Sequence, residues 1–256
     1  MIVTLKQYSS RIIRLLALLL VLPLLIWSGM GLSASLLAAG PETAMLRWEC
    51  TGKVDDQARW KAYVSNLELA LKLDPRNVGI MRQLAKMYEW RTVSVAPWDE
   101  SVQAERESSI EWYREVVSHR PIWAMGWAEL ANMKVRSMEL DNEALDGIEK
   151  ALELGKWQKD VQSKTIWLSV GIWDSIPGNL RVKVKENLKR LLHKELRISD
   201  VALYSIRFDW LDELETVVSS PEDLALIDEY RENKNKIREL WSKMAKTRPE
   251  HCAHVV

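Results

Sequence analysis

The strongest pattern along the chain is an apolar run from Leu15 to about Ala39, in which Ser28, Ser33 and Ser35 are the only polar side chains. A helix of this length crosses a hydrocarbon core of about 30 Å, which takes roughly 20 residues. Lys6, Arg11 and Arg14 precede the run. A basic flank on the entry side keeps Met1 in the cytoplasm and sends the rest outside. Pro23 lies mid-run and bends such a helix without forbidding a span. The alternative is a cleaved signal peptide. Its apolar core would be about 7–15 residues, followed by small residues like those of Leu32 to Gly40. The length favours an uncleaved anchor over 15–39, with 1–14 left in the cytoplasm, and both readings put the domain in one compartment.

After Gly40-Pro41 the apolar period shortens to that of amphipathic helices, few of them long. Three segments share an ending: Leu69 to Pro75, Tyr113 to Pro121 and Ala151 to Gly155 each read as a helix end closed by Pro or Gly. Pro121 and Gly155 are 34 residues apart, the tetratricopeptide period. Pro75 and Pro121 are 46 apart, which accommodates an insertion of 12 in the breaker-containing stretch Arg91–Val102 around Pro97. Internal positions agree. From a start near Val78, Leu84, Ala85 and Tyr88 supply a large apolar, a small and an aromatic residue. From a start near Ala124, Trp127, Leu130 and Ala131 do the same, followed by Ala144, Ile148 and Ala151 on a second helix. Small residues let paired helices approach while large ones fill the groove between them. The fold class expected is all-α: a tetratricopeptide-like solenoid over 40–178, preceded by one transmembrane helix.

The region 179–256 reads as helical but less repetitive. Val161–Ile176, Leu180–Leu196, Asp200–Val218 and Glu222–Lys246 are the expected helices. Leu180, Val184, Leu188, Leu191 and Leu192 line one side of the second, and its other face is rich in Lys and Arg. Such a face either meets solvent or lies on an anionic membrane.

Composition adds three constraints. Lys and Arg number 36, as do Asp and Glu, and zero net charge argues against nucleic acid as a partner. Gly (10) and Pro (8) are scarce, as a nearly continuous helical chain requires. Trp is abundant at 13 against a single Phe, and its first use is to fill gaps between helices. Cys50 and Cys252 lie near the ends of the soluble part and are either a pair or two free thiols.

Chemistry is hard to find. His251, Cys252 and His254 form a small tail cluster, short of the four spaced ligands a structural zinc site wants. Glu100-Ser101 and Glu107-Ser108 are similar to the Glu-Ser pair of helical lytic transglycosylases, without that family's Gly-rich, Gln-containing stretch downstream. Asp55-Asp56 would suit a nucleotide-sugar transferase only in an α/β fold, and no strand–helix alternation is present. Neither a phosphate loop nor a serine elbow occurs. No catalytic residue, cofactor or metal ligand is therefore assigned.

One stretch is more specific. It runs Arg120-Pro121-Ile122-Trp123, then Trp127-Ala128-Glu129-Leu130-Ala131 and Lys134, then Glu153-Leu154-Gly155-Lys156-Trp157, Val161-Gln162 and Gly171-Ile172-Trp173. This order resembles the VpsP-type polysaccharide biosynthesis proteins of exopolysaccharide systems, with Lys156 where the family's E-L-G-P-W has Pro. The resemblance implies an accessory scaffold in making, assembling or exporting an extracellular (biofilm-matrix) polysaccharide, not a reaction. Its partners would be the assembly or export proteins of the cell envelope. For these motif residues packing roles are expected: Trp127, Leu130 and Ala131 facing the partner helix, and Arg120 capping the carbonyls of the preceding helix. Two alternatives share the architecture. One is a generic envelope scaffold. The other is a glycan-binding module in which Trp90 and Trp98, beside the insertion, stack on sugar rather than pin the loop.

Overall fold

A computed structural model describes residues 2–192 and 194–244, with side chains over 18–192 and 194–240. Every regular element among them is a helix; the nearest approach to a strand is an isolated bridge between Leu192 and Leu196. The chain divides into two compact units, Met1–Met87 and Tyr88–Val256.

The first unit holds α1 (Ile2–Thr51), α2 (Gln57–Leu73) and most of α3 (Val78–Thr92). At about 1.5 Å per residue, α1 is about 75 Å long. It does not stop at Gly40-Pro41, where the sequence suggested a boundary. A proline inside a helix removes one backbone bond, and α1 carries both Pro23 and Pro41. The apolar segment and the first packed helix are thus one element. It ends at Gly52, whose φ of 62° is left-handed and whose N–H closes on the Trp48 carbonyl. Asp56 then caps α2 by accepting from the Arg59 N–H at 3.0 Å. Within α1, Ala34, Ala38, Ala44, Met45 and Trp48 are buried along one stripe. α2 packs closely against α1 and buries Trp60, Val64, Leu67 and Ala70. The Trp60 indole donates to the Met87 carbonyl at 3.0 Å. Towards its N-terminus α1 changes character: from Leu18 to Ile26 its large side chains are exposed. It is the one helix long and apolar enough to cross a membrane among the described residues.

The second unit runs through α4 (Gln103–His119), α5 (Ala124–Arg136), α6 (Asn142–Leu154), α7 (Lys159–Gly171), α8 (Gly178–Leu191), α9 (Ile198–Arg207), α10 (Leu211–Glu215), α11 (Pro221–Glu232) and α12 (Lys234–Met244). The helix ends expected before Pro75, Pro121 and Gly155 fall at Leu73, His119 and Leu154. α5 and α6 form the closest pair. A Cβ on Gly147 would stand 3.1 Å from that of Ala131 and 3.2 Å from the Trp127 carbonyl, so small residues set this approach. Contacts then alternate: α5 touches α7, and α6 touches α8. The starts of α5 and α7 are 35 residues apart and those of α6 and α8 are 36 apart.

Two expected long helices are broken. Asp200–Val218 is interrupted at Asp209, whose φ of 55° ends α9 and starts the turn into α10. An Asp tolerates that conformation better than most residues, and its carboxylate is held by Lys234 and Arg238. Glu222–Lys246 is split at Asn233, the cap between α11 and α12. The expected division at 178 is not a structural one. A single core runs from Ala131 and Ile148, through Ile166, Val184 and Leu188, to Ile206, Trp210 and Ile227.

Several cations on the basic face of α8 are half-buried and paired, while Lys189 is exposed. Lys183 bridges Glu149 and Glu153 of α6, and Lys185 pairs with Glu213 of α10. Arg181 donates to the carbonyls of Ile176 and Asp174. These cations join neighbouring helices, information that the period of α8 alone does not carry.

Candidate functional site

The motif-bearing turn between α4 and α5 builds an open groove. The N–H of Arg120 closes α4 on the Val116 carbonyl. The expected capping by the Arg120 side chain is thus replaced by its backbone. The Trp123 N–H then bonds the Arg120 carbonyl, which turns the chain into α5. This folds the Pro121 carbonyl back over α5, where the Trp127 indole donates to it at 2.8 Å. From α6, the Lys150 ammonium sits 3.9 Å from the Trp127 ring centroid, a cation–π contact. Arg114, Val117, Ser118, Pro121, Trp127, Glu143, Asp146 and Lys150 enclose about 630 Å³ between α4, α5 and α6. Asp146 and Lys150 are exposed, and Asp146 makes no ion pair among the described residues.

The charged wall of the groove is tied to the interior. Arg114 grips Glu143 in a bidentate pair at 2.8 and 2.6 Å. Glu143 also receives the Lys134 ammonium at 2.6 Å, and Asp141 and Glu139 approach the same ammonium at 2.9 and 3.3 Å. Lys134 is almost fully buried, so its charge is sustained by these three carboxylates. Desolvation opposes its protonated form, but the hydrogen bonds to Glu143 and Asp141 outweigh it and its pKa is raised. Arg114 first, and then Lys134, hold the Glu143 carboxyl down from 4.5 to about 2, against desolvation.

A depressed carboxylate adds stability above its unfolded pKa and loses it as pH falls through its folded one. The loss should therefore lie between about pH 4.5 and pH 2. After discounting for partial exposure, Glu143 is expected to contribute about 1–2 kcal/mol. Denaturant unfolding at pH 6 and pH 3 tests this. Glu143→Gln should remove that part of the acid sensitivity, and an unchanged difference between the two pH values would refute it.

The other motif residues do not converge on this groove. Leu130 is fully buried, as a core residue should be. Trp127 is half-buried: it packs against the buried cluster of Ala124, Ala128, Ala151 and Val161, and Lys150 of the facing α6 roofs its ring. Trp127→Ala is accordingly expected to cost about 1–2 kcal/mol, below the ~3–5 of a full core deletion, by thermal or denaturant unfolding. Gly155 is buried where α6 passes into α7, and Gln162 is buried with its amide donating to the Leu152 carbonyl at 3.1 Å. Trp157 is 81% exposed, with Lys156 and Arg190 against its ring. Trp123 is half-buried. Trp173 is buried edge-on to Trp210, with centroids 5.1 Å apart. That pair backs a second cleft of about 520 Å³, lined by Asp174, Asp209, Asp212 and Glu213.

The inserted loop has a holder that sequence reasoning missed. Trp98 is 75% exposed, and Trp90 is half-buried at the end of α3. It is Arg106 of α4 that fixes the loop, donating to the carbonyls of Asp99 at 2.6 Å and Ala96 at 2.7 Å. Arg106 shares the buried stripe of α4 with Ile110, Tyr113 and Val117. A cation on an apolar stripe was the available signal. Arg106→Met is expected to cost about 2 kcal/mol through two lost charge-assisted bonds. Limited proteolysis within 93–99 should accelerate; cleavage at the wild-type rate would show that Arg106 does not hold the loop.

Cys50 is half-buried and has no disulfide partner among the described residues. Cys252, His193, His251 and His254 lie outside the described residues, and with them the possible disulfide and the tail cluster.

Neither protein-family models nor curated proteins give a match to this sequence.

Proposed function

We propose that this protein is a non-enzymatic adaptor, held at the bacterial inner membrane by α1, which gathers proteins of exopolysaccharide assembly or export on the outer side. The observation that carries the adaptor reading is the stacking of α5 to α8 in pairs whose like helices start 35 and 36 residues apart and touch one another. We read these pairs, and the α3–α4 segment before them, as tetratricopeptide-like repeats. Arrays of that kind bury a continuous core and present grooves to partner segments. The groove around Trp127 has the mixed character such a role needs: an aromatic face, an exposed cation and an unpaired carboxylate. The polysaccharide system comes from the motif similarity. The placement outside the cytoplasm follows from Lys6, Arg11 and Arg14 before the apolar run. Tethering in the membrane plane makes a weak contact effectively intramolecular.

The test is mild cross-linking in the native host, detergent extraction of the tagged chain and mass spectrometry of what it retains. A polysaccharide polymerase, ligase or exporter is the expected catch, reduced by Trp127→Ala with Lys150→Glu. Recovery of the chain alone would overturn the adaptor reading. A second reading is favoured by the exposure of Trp98 and Trp157: direct stacking on glycan. Bound glycan without a protein partner, lost in Trp98→Ala at unchanged melting temperature, would establish it instead.

A further inference from the structure

We propose that the turn between α2 and α3 rests on the membrane surface, with Lys72 and Arg76 facing anionic lipid headgroups. This rests on the reading of α1 as a membrane span and adds where the bilayer ends. A hydrocarbon core takes about 20 helical residues. Counted from Leu15, the first residue after Arg14, that length ends at about Ala34. Ala34 is also the first residue of the α1 stripe that is fully buried. The lipid-exposed and protein-covered parts of α1 therefore meet there without a linker.

α2 fixes what stands at that level. Two closely packed helices joined by a short turn are antiparallel neighbours. The 17 residues of α2 match α1 from Thr51 back to residue 35, so Leu73 returns to the height of Ala34. The residues at this end suit a headgroup layer. Lys72 and Arg76 are exposed and make no ion pair or hydrogen bond among the described residues. Asp74, between them, accepts from the Asn77 amide at 2.9 Å, and Glu68 lies one turn farther up. Leu69 is 47% exposed on α2. Leu32 and Leu36 are exposed on α1, on the side away from Ala34 and Ala38, where the acyl–headgroup boundary would cover them. The hydroxyls of Ser33 and Ser35 bond the carbonyls of Gly29 and Gly31, so neither is left bare at the boundary. Exposed cations at this depth are drawn to anionic lipid, within a Debye length of the surface.

The experiment uses the full chain with Cys50→Ser and Cys252→Ser, reconstituted in phosphatidylethanolamine–phosphatidylglycerol vesicles. Single cysteines at Leu20, Thr51 and Pro75 carry an environment-sensitive fluorophore. Nitroxide lipids, labelled on the headgroup or deep in the acyl chain, serve as quenchers. Position 75 should be quenched by the headgroup nitroxide. Position 51, about 24 Å up the hairpin, should not be. Position 20 should be quenched by the acyl nitroxide. Lys72→Glu with Arg76→Glu should reduce quenching at 75 by about twofold or more and leave position 20 unchanged. If 75 is quenched no more than 51 while 20 is quenched, the turn stands clear of the bilayer and the proposal is wrong, although α1 spans. The proposal also fails if the charge reversal leaves quenching at 75 intact. An unquenched position 20 would remove the membrane span itself and the proposal with it.

Discussion

Trp210→Ala is expected to lower the unfolding free energy by about 3–5 kcal/mol. Trp210 is 1% exposed and lies at the junction of α9 and α10, where the left-handed Asp209 directs the chain back onto the core. Its ring packs edge-on to Trp173 with an interplanar angle of 78°, a favoured geometry for two indoles. Removing it opens a cavity in the one core that joins α5 to α11, and a break in that core is felt by every helix lining it. The indole N–H has no hydrogen-bond partner among the described residues. Trp210→Phe discards that buried donor along with part of the ring, so most of the stability should return. Urea unfolding of the detergent-solubilised chain, followed by circular dichroism, provides the measurement. A loss under about 1 kcal/mol for the alanine variant would mean that the α9–α10 corner is not part of the core.

Gly155→Ala is the second large effect, at about 2–3 kcal/mol, with Gly155→Val costing more. The reason is not backbone freedom, since its φ of −92° suits any residue. It is space. A Cβ at 155 would stand 2.6 Å from a methyl of Val161, 2.8 Å from the Ala151 carbonyl oxygen and 3.0 Å from the Ala124 Cβ. The carbonyl belongs to the helix that Gly155 caps and cannot rotate away. Relief requires α6 to separate from the starts of α5 and α7, which is the contact that sets the helix-pair spacing. Pairing Gly155→Ala with Val161→Ala should recover only the part due to the Val161 methyl. Full recovery would show that the side chain, not the backbone, sets the limit.

The motif around Gly155 shows how much of the fold could be read in the sequence. The ends of α2, α4 and α6 were legible because Pro or Gly follows each within two residues, and such residues stop a helix whatever it packs against. The insertion after α3 was legible for the same reason. Asp209 and Asn233 were not read as breaks, because Asp and Asn interrupt a helix only where a partner rewards the turn. For Asp209 that partner is Lys234 and Arg238, 25 and 29 residues away. The candidate groove was half legible. Trp127 and Pro121 stand in the motif, but Lys150 gave no signal, and spacing alone did not reveal that Trp127, while packed against Ala151 of its partner helix, keeps one edge open to the groove.

What the sequence determined by itself is local. It marked an apolar N-terminal segment of membrane length, a chain without strand signals and a period near 34 residues with small residues where helices meet. Each depends on spacing within one or two turns, which the backbone enforces without distant help. Only the tertiary structure decided that α1 continues unbroken from the apolar segment into the packed hairpin. It also decided that Lys183 and Lys185 of α8 join neighbouring helices, that Arg106 and Lys134 are buried with their charges satisfied, and which indoles are covered. Those outcomes depend on which groups are brought opposite one another across helices. A buried charge or a roofed aromatic ring is settled by its partner, and the partner is fixed only when the helices pack.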